Sequence, residues 1–434
     1  MGSAKGAPEH TVAERDALTR ITPEDGVPAS ANKAIHAIEQ ELKKQHIDAK
    51  IQLGGSVAKG TNLAGDHDID VFVRFPSSTD NTLLSDILEP ALKAVFPDVQ
   101  RVHGSRDYFH ILLPEGTLEV VPVLDVSTWS EASNVTDMSP LHVAYVRTHI
   151  EKRPWLAGEI RLTKQFLKSA KAYGAESYIG GFSGHVVDLL IISYGSFHGL
   201  LEAASSQWNK KIVLDPEGQL VDPLGELNAS KTQAPLVIVD PVQQDRNSAA
   251  ALTREKFDAF RARAKAYENA AEDEQQIFFT VKPLSERAFI STNAGKRVLR
   301  AIMVPLDGKK DVVGAKCAKV LAHCERALET NGFAIYAREW EFTTKKAIAL
   351  YAVDPGLLSE STHLPGPPVH MTEAIARFAA EHVTTITNEG RVHAIEPRAY
   401  RDPLLLLCDT LQEPYVCERV QEAIADEITS GEGD

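Results

Sequence analysis

Two carboxylates set two residues apart, Asp68 and Asp70, stand twelve residues beyond Ser56 in the run "GGSVAKGTNLAGDHDIDVF" (Gly54 to Phe72). The apolar residues around and after them predict a strand over "DIDVFVRF" (Asp68 to Phe75). In a strand, residues i and i+2 share a face, so both carboxylates point one way and Ile69 the other. Adjacent carboxylates repel, and placing them beside a buried strand is costly without a cation. Magnesium prefers carboxylate oxygens together with substrate phosphates, and a pair of such ions can clamp the attacking and leaving oxygens of a phosphoryl transfer. A third carboxylate on a neighbouring strand would complete the site. The strand "TLEVVPVLDV" offers Glu119 and Asp125. Their even spacing puts both on one face, yet six strand residues span roughly 20 Å. The two metals of such a site lie only about 3.5–4 Å apart, so one of the two acids must be outside it. Pro122 lies between them and cannot donate to a sheet ladder, so regular pairing is expected to end there.

The turn supplies the other half of the chemistry. Gly54-Gly55-Ser56 follows the strand "AKIQL" and opens a short helical run. Backbone N–H groups at such a start attract phosphate oxygens, and glycine lets the backbone come close. Ser56 adds a hydroxyl and Lys59 a charge. A Gly-Gly turn alone is an ordinary turn, and a lone Asp-x-Asp is an ordinary solvated strand end. Their conjunction, with an apolar strand directly after the carboxylates, favours a phosphate cradle beside a metal site.

The elements that must position these residues follow from periodicity. "ANKAIHAIEQELKKQ" has helical apolar spacing at Ile35, Ile38 and Leu42, "LLSDILEPALKAVF" is a helix interrupted by Pro90, and "YFHILL" pairs with "TLEVVPVLDV" through the turn "PEG". After Pro140 the texture becomes helical. "IRLTKQFLKSAKAYG", "FSGHVVDLLIISYGSFHGLLEAA" and "TREKFDAFRARAKAY" read as long helices, the second almost wholly apolar and so buried. Arg161, Lys164, Lys168 and Lys171 fall on one face of the first, a candidate positive stripe that could equally be a solvated face. Beyond the acidic linker "ENAAEDEQQ" come a strand, a helix and a hairpin, the order of a small α+β module. "LPGPP" then breaks the chain before a last helix and the strand "EGRVHAIEP".

The 434 residues suggest several domains, and 43% apolar residues are enough for real cores. No run of about 18 apolar residues occurs, so no membrane span is expected. The polar start "MGSAKGAPEHTVAERDALTR" lacks the apolar core of a secretory signal. Cys317, Cys324, Cys408 and Cys417 lack CxxC spacing and read as reduced thiols of a cytoplasmic protein. A net charge of −14 argues mildly against nucleic acid, but a local basic face can bind RNA on an acidic protein.

With these residues in view, the chain resembles the nucleotidyltransferase superfamily related to DNA polymerase β, through Gly-Ser, a spacer and Asp-x-Asp on a strand. The fuller string resembles the archaeal-type (class I) CCA-adding tRNA nucleotidyltransferases. The likeness continues through "LEVVPV", "SPLHVAYV", "AYGAESYIGGFSGHVVDLLIISYGSF", "DPVQQDRNSAA" and "LPGPP…EGRVHAIEPR". It implies an α+β multidomain fold: a polymerase β-like head (a mixed sheet with helices) over 1–139, with 1–28 mobile at first, a helical neck over 140–272, a small α+β body over 273–361 and a tRNA-binding tail over 362–434. It implies that Asp68, Asp70 and Glu119 bind Mg2+. Gly55, Ser56 and Lys59 would hold the triphosphate. Ser139 and His142, with Lys164 and Tyr173 on the next helix, would close around the phosphates and sugar, and Arg246 would face the incoming base.

Four positions depart from the pattern: Lys59 for arginine, Ser139 for threonine, Asn62 for an aromatic residue, and Glu119 for aspartate. A lysine offers a point charge in place of a bidentate fork. The implied activity is template-independent addition of C, C and A to the tRNA 3′ end from CTP and ATP. The implied partners are the tRNA acceptor stem and T arm, with a homodimer as an assembly to test. Competing readings are a poly(A)- or oligoadenylate-type enzyme, a split CC- or A-adding enzyme, and a catalytically silent RNA-binding homologue. CTP incorporation excludes a purely adenylating enzyme, and the intact Asp68 and Asp70 argue against the silent one.

Overall fold

The computed structural model describes residues 6–24, 26–66, 68–382 and 385–429. It divides into two compact units, 1–281 and 282–434. The parts of the expected 1–28 and 362–434 segments outside those ranges are not described.

The first unit begins with α1 (Val12–Ile21), within the 1–28 segment expected to be mobile at first. Thr11 and Glu14 form a reciprocal capping box at its start. Glu14 is fully buried and also accepts hydrogen bonds from the Tyr267 hydroxyl and the His198 ring. Then come α2 (Ala29–Lys44), β1 (Lys50–Leu53), α3 (Gly55–Lys59), β2 (Asp68–Pro76), α4 (Leu84–Val95), β3 (Gln100–Val102), β4 (Tyr108–Leu113) and β5 (Gly116–Asp125). Pro90 sits inside α4 without ending it. The five strands form one sheet in the order β1-β2-β5-β4-β3. Only β2 and β5 run parallel, with Asp70 opposite Glu119 and Asp68 opposite Thr117.

Alternation decides which face is chemical. Ile69, Val71 and Val73 of β2, with Leu118 and Val120 of β5, bury themselves against the apolar stripes of α2 and α4. Asp68, Asp70 and Glu119 therefore look out of the opposite face. There Phe72, Val121 and Val123 pack with Val143. Pairing beyond Pro122 differs from expectation. It ends at Val120 on the β4 side but continues with β2 as far as Asp125. A proline costs a ladder nothing on a side that has no partner.

The helical part holds α5 (Ser139–Lys152), α6 (Leu156–Ser169), α7 (Gly184–Tyr194), α8 (Phe197–Ser206), α9 (Pro223–Glu226) and α10 (Arg254–Glu268), with a small sheet of β6 (Ile212–Leu214), β7 (Leu236–Asp240) and β8 (Gln243–Asn247). Three expectations change here. The long apolar run is two helices, α7 and α8, bent by 91° at Gly195, whose φ of 82° closes the first. The helix predicted to reach Tyr173 ends at Ser169: Lys171 turns left-handed at φ 52°, and Ala172 N–H bonds back to Leu167 O at 2.9 Å. The acidic linker is in part a 3-10 helix, Glu272–Phe279, whose Phe278 and Phe279 are buried.

The second unit comprises α11 (Glu286–Thr292), β9 (Arg297–Pro305), α12 (Lys310–Thr330), β10 (Ile335–Phe342), β11 (Ala347–Val353), β12 (Ser361–Pro368), α13 (Thr372–Glu381), β13 (Thr385–Asn388), β14 (Arg391–Pro397), α14 (Pro403–Leu411), α15 (Pro414–Cys417) and β15 (Val420–Ile428). Its larger sheet runs β10-β11-β9-β15, so the last strand returns to the sheet of the α+β module. "LPGPP" does not break the chain: it lies within β12, paired with β14. All four cysteines are free, with Cys317 and Cys324 buried. No single helix among the described residues is long and apolar enough to cross a membrane.

The step from β5 to α5 rests on one buried ion pair. Asp137 is fully buried, accepts backbone N–H groups from Leu124, Ser133 and Asn134, and pairs with Arg106, itself 7% exposed. Removing one partner of such a pair costs about 3–5 kcal/mol. Asp137→Ala should therefore lose stability of that order in guanidinium unfolding. A loss below about 1 kcal/mol would mean that other contacts fix the start of α5.

Candidate active site

The three carboxylates occupy adjoining strands on one face, as register requires. The Gly54 N–H bonds to Asp70 O at 2.8 Å, which draws the glycine turn over the carboxylates. Gly55 has φ 58°, and a Cβ there would lie 1.6 Å from Asp70 Oδ2. No other residue fits, both for backbone conformation and for space. Asp70 is partly exposed but hemmed in by protein. Burial, then the charge of Glu119, raise its carboxyl to about 6, Asp68 adds to the rise and Lys59 opposes it. Glu119 is about a third exposed, with His110 Nε2 3.4 Å away. Crowded oxygen donors of like charge, open to solvent on one side, are what a hard divalent cation needs. Asp125 is engaged elsewhere: it lies opposite Pro76 at the far end of β5, pairs with Arg74, and has Lys50 Nζ at 3.5 Å.

The residues expected to grip the nucleotide fall into two groups, each held by an aspartate. Lys59, at the end of α3, pairs with Asp188 of α7, which is fully buried. Lys164 of α6 is also buried and donates to Thr61 O at 2.9 Å. Burial lowers its ammonium to about 8, against the pull of Asp188. It is therefore not part of an exposed basic stripe, and neither is Arg161, which donates to Asn62 O. Tyr173 lies past the end of α6, bridged to Phe182, and burial pushes its phenol well up. Its hydroxyl and Lys164 both approach Gly184, where an added Cβ would meet the hydroxyl at 3.0 Å. Ser56 lies in α3 and Ser139 is the first residue of α5.

The second group centres on Asp240, at the end of β7 and fully buried. His142 of α5 places Nε2 2.9 Å from both of its oxygens. Ser248 Oγ donates to it at 3.0 Å and Val242 N–H at 3.1 Å. Arg246 Nη1 stands 3.4 Å away and His185 Nε2 3.5 Å away. Burial works to raise Asp240, but hydrogen bonding to His142 and the nearby imidazoles hold it well below the carboxylate range. Burial lowers His142 to about 4. Arg246 lies on β8, which folds back on β7. His142, His185 and Asp240 keep their donor atoms within 4.8 Å of one another. Two imidazoles and one carboxylate suit a transition metal better than magnesium.

Asp188, Asp240 and His185 were not singled out from sequence. Asp188 did leave a signal, as the one acid inside the apolar run "HVVDLLIIS".

Matches to known proteins agree with this geometry. Residues 35–152 match the nucleotidyltransferase domain, 158–280 the second domain of tRNA nucleotidyltransferase, and 307–431 the C-terminal domain of the CCA-adding enzyme. A crystal structure of the Cid1 poly(U) polymerase with magnesium and 3′-dATP aligns at TM-score 0.50 and 12% identity, covering 61% of this chain and 96% of that one. A cytoplasmic RNA terminal U-transferase aligns at 0.50 and 14%, covering 62% and 98%. These two share the fold alone. Fold and site together define a nucleotidyltransferase, a class that works with divalent metal.

Curated relatives narrow this further. The CCA-adding enzyme of Nanoarchaeum equitans is 31% identical over 84% of this chain and 88% of its own length. That of Methanothermobacter thermautotrophicus is 28% identical over 88% and 84%. The chain belongs to the family of CCA-adding enzymes, tRNA nucleotidyltransferases, as the sequence motifs led us to expect.

Two outcomes follow from the carboxylates. In metal-free protein, the raised Asp70 destabilises the fold by at most about 3 kcal/mol, less for the solvent at its rim. The penalty is complete above pH about 6 and vanishes as pH falls below the ordinary value of 3.8. Asp70→Asn should thus raise the melting temperature in EDTA at pH 7.5, with the gain shrinking between pH 6 and 4. An unchanged or lower value at pH 7.5 would remove the crowding. Separately, Glu119→Gln should lose nearly all metal-dependent activity and Asp125→Asn little. The reverse ranking would move the third ligand to Asp125.

Proposed function

We infer that this tRNA nucleotidyltransferase adds C, C and A to the tRNA 3′ end from CTP and ATP, without a nucleic-acid template, at a Mg2+ centre held by Asp68, Asp70 and Glu119. The observation that carries the reading is the pairing of Asp70 with Glu119 in parallel strands beneath the Gly54-Gly55 turn. Magnesium bound there would favour ionisation of the terminal 3′-hydroxyl and offset charge on the α-phosphate and departing pyrophosphate.

The chain's own groups do the rest. Gly55 makes room for the Asp70 carboxylate, and its backbone with the Ser56 hydroxyl faces the phosphate oxygens. Lys59 and Lys164 place positive charge beside the triphosphate. Asp188 keeps Lys59 on that side of the site, and Thr61 does the same for Lys164. Ser139, His142 and Tyr173 approach the phosphates and sugar from α5 and the segment after α6. Arg246, 40% exposed, offers guanidinium donors to the edge of the incoming base. An acceptor stem is held through backbone and 2′-hydroxyl contacts more than through base identity. By role, we divide the chain into a catalytic head (1–139), a neck that positions nucleotide and primer (140–272), a body (273–361) and a tail for the acceptor–T arm (362–434). We place it in the cytoplasm and keep the homodimer as an assembly to measure by light scattering.

The test is incubation with tRNA lacking its 3′ terminal nucleotides, each NTP singly and in pairs, with and without Mg2+. The expected result is two C additions from CTP and then one A from ATP, all requiring Mg2+. Tailing with ATP alone, or with UTP, would replace this reading by another RNA nucleotidyltransferase.

A further inference from the structure

We propose that Asp240 is the positioning residue that couples base recognition to triphosphate binding. It rests on the roles given above to His142 and Arg246, and adds a residue that neither motif contains as a substrate contact. One fully buried carboxylate is shared by His142 of α5, which we assign to the phosphates, and Arg246 of β8, which we assign to the base. The carboxylate is itself fixed by Ser248 Oγ at 3.0 Å and Val242 N–H at 3.1 Å, so it cannot follow either partner. The β7–β8 hairpin changes register between Val239 and Asp240, which sets Asp240 opposite Gln243 and brings Arg246 back within reach of the carboxylate.

The electrostatics point the same way. A buried carboxylate binds a cationic donor far more strongly than a neutral one. Arg246 is 40% exposed and carries a long side chain with many rotamers. Tethering its guanidinium to Asp240 orients the donors before any base arrives, which lowers the entropic cost of recognition. The same charge holds the His142 ring by Nε2, 2.9 Å from both carboxylate oxygens. Removing the charge should therefore loosen both ends of the nucleotide at once, whereas removing Arg246 or His142 loosens one.

His185 completes, with His142 and Asp240, a cluster that offers a competing use. Neither of its ring nitrogens has a hydrogen-bond partner among the described residues, and both are buried. The Arg246 guanidinium beside the same carboxylate opposes a dication there, as do the donors already on Asp240.

The experiment is steady-state addition to tRNA with Asp240→Asn, Arg246→Ala, His142→Ala and the double variant Asp240→Asn/Arg246→Ala. Asp240→Asn keeps size and removes charge. Loss of a charge-assisted contact predicts a rise of about ten- to a hundredfold in KM for both CTP and ATP, with a smaller fall in kcat. The preference for CTP over UTP should fall about as far as in Arg246→Ala, and the double variant should be no less selective than Arg246→Ala alone. tRNA affinity should not change. A merely structural role would lower the melting temperature and leave selectivity intact. If Asp240→Asn unfolds at the assay temperature, Ser248→Ala removes one anchor of the carboxylate and should shift selectivity in the same direction by a smaller factor.

Normal selectivity in Asp240→Asn with lost selectivity in Arg246→Ala would overturn the coupling while leaving the role of Arg246 in place. Normal selectivity and KM in both Arg246→Ala and His142→Ala would overturn the roles themselves, and the coupling with them. Stoichiometric zinc on the purified protein, lost in His185→Ala, would make Asp240 a metal ligand and also overturn the proposal.

Discussion

Asp70 sits opposite Glu119 in the parallel pair β2–β5, and that repulsion organises the whole catalytic face. Every neighbouring feature accommodates it. The apolar alternation of both strands turns the acids away from the packed helices, because Ile69, Val71, Leu118 and Val120 take the buried side. The glycine turn closes over Asp70, where any side chain would collide with the carboxylate. Lys59 supplies partial compensation, but Asp188 also claims its charge. The strands thus crowd together acids whose charge Lys59 only partly offsets, the setting that suits a divalent cation.

Two buried aspartates extend the same principle to the helical part of the unit. Asp188 stands behind Lys59, and Asp240 stands behind His142 and Arg246. Each costs desolvation free energy and is retained because partners of opposite charge or hydrogen bonds surround it. Their effect is orientation. A lysine or arginine at a site's edge has many rotamers, and a fixed carboxylate selects one. Lys59 offers a point charge and no bidentate fork, and a point charge in reach is all that Asp188 needs.

Much of the head was legible in the sequence because its signals are local. The strand carrying Asp68 and Asp70, its partner carrying Glu119, the helix Ala29–Lys44 and the hairpin "YFHILL"–"TLEVVPVLDV" all follow from period-2 or helical spacing. The α11–β15 module was partly legible for the same reason, although the return of its last strand to β9 depends on long-range pairing. What failed was tertiary. An apolar run of helical residues does not reveal that Gly195 turns left-handed and bends it. The spacing of Arg161, Lys164 and Lys168 marks one face but not its environment, and that face is partly buried, with Lys164 at 1% exposure. Asp240 was not singled out from sequence. Its importance appears only when α5 brings His142 from 98 residues away.

The central claim is that the acids of β2 and β5, and not the His142–His185–Asp240 cluster, hold the divalent cation. Crystals of the protein grown with Mn2+ and CTP, measured for anomalous scattering of manganese, test this directly. The account predicts peaks bounded by Asp68, Asp70 and Glu119, with none beside His185. Manganese seated only among His142, His185 and Asp240 would contradict it.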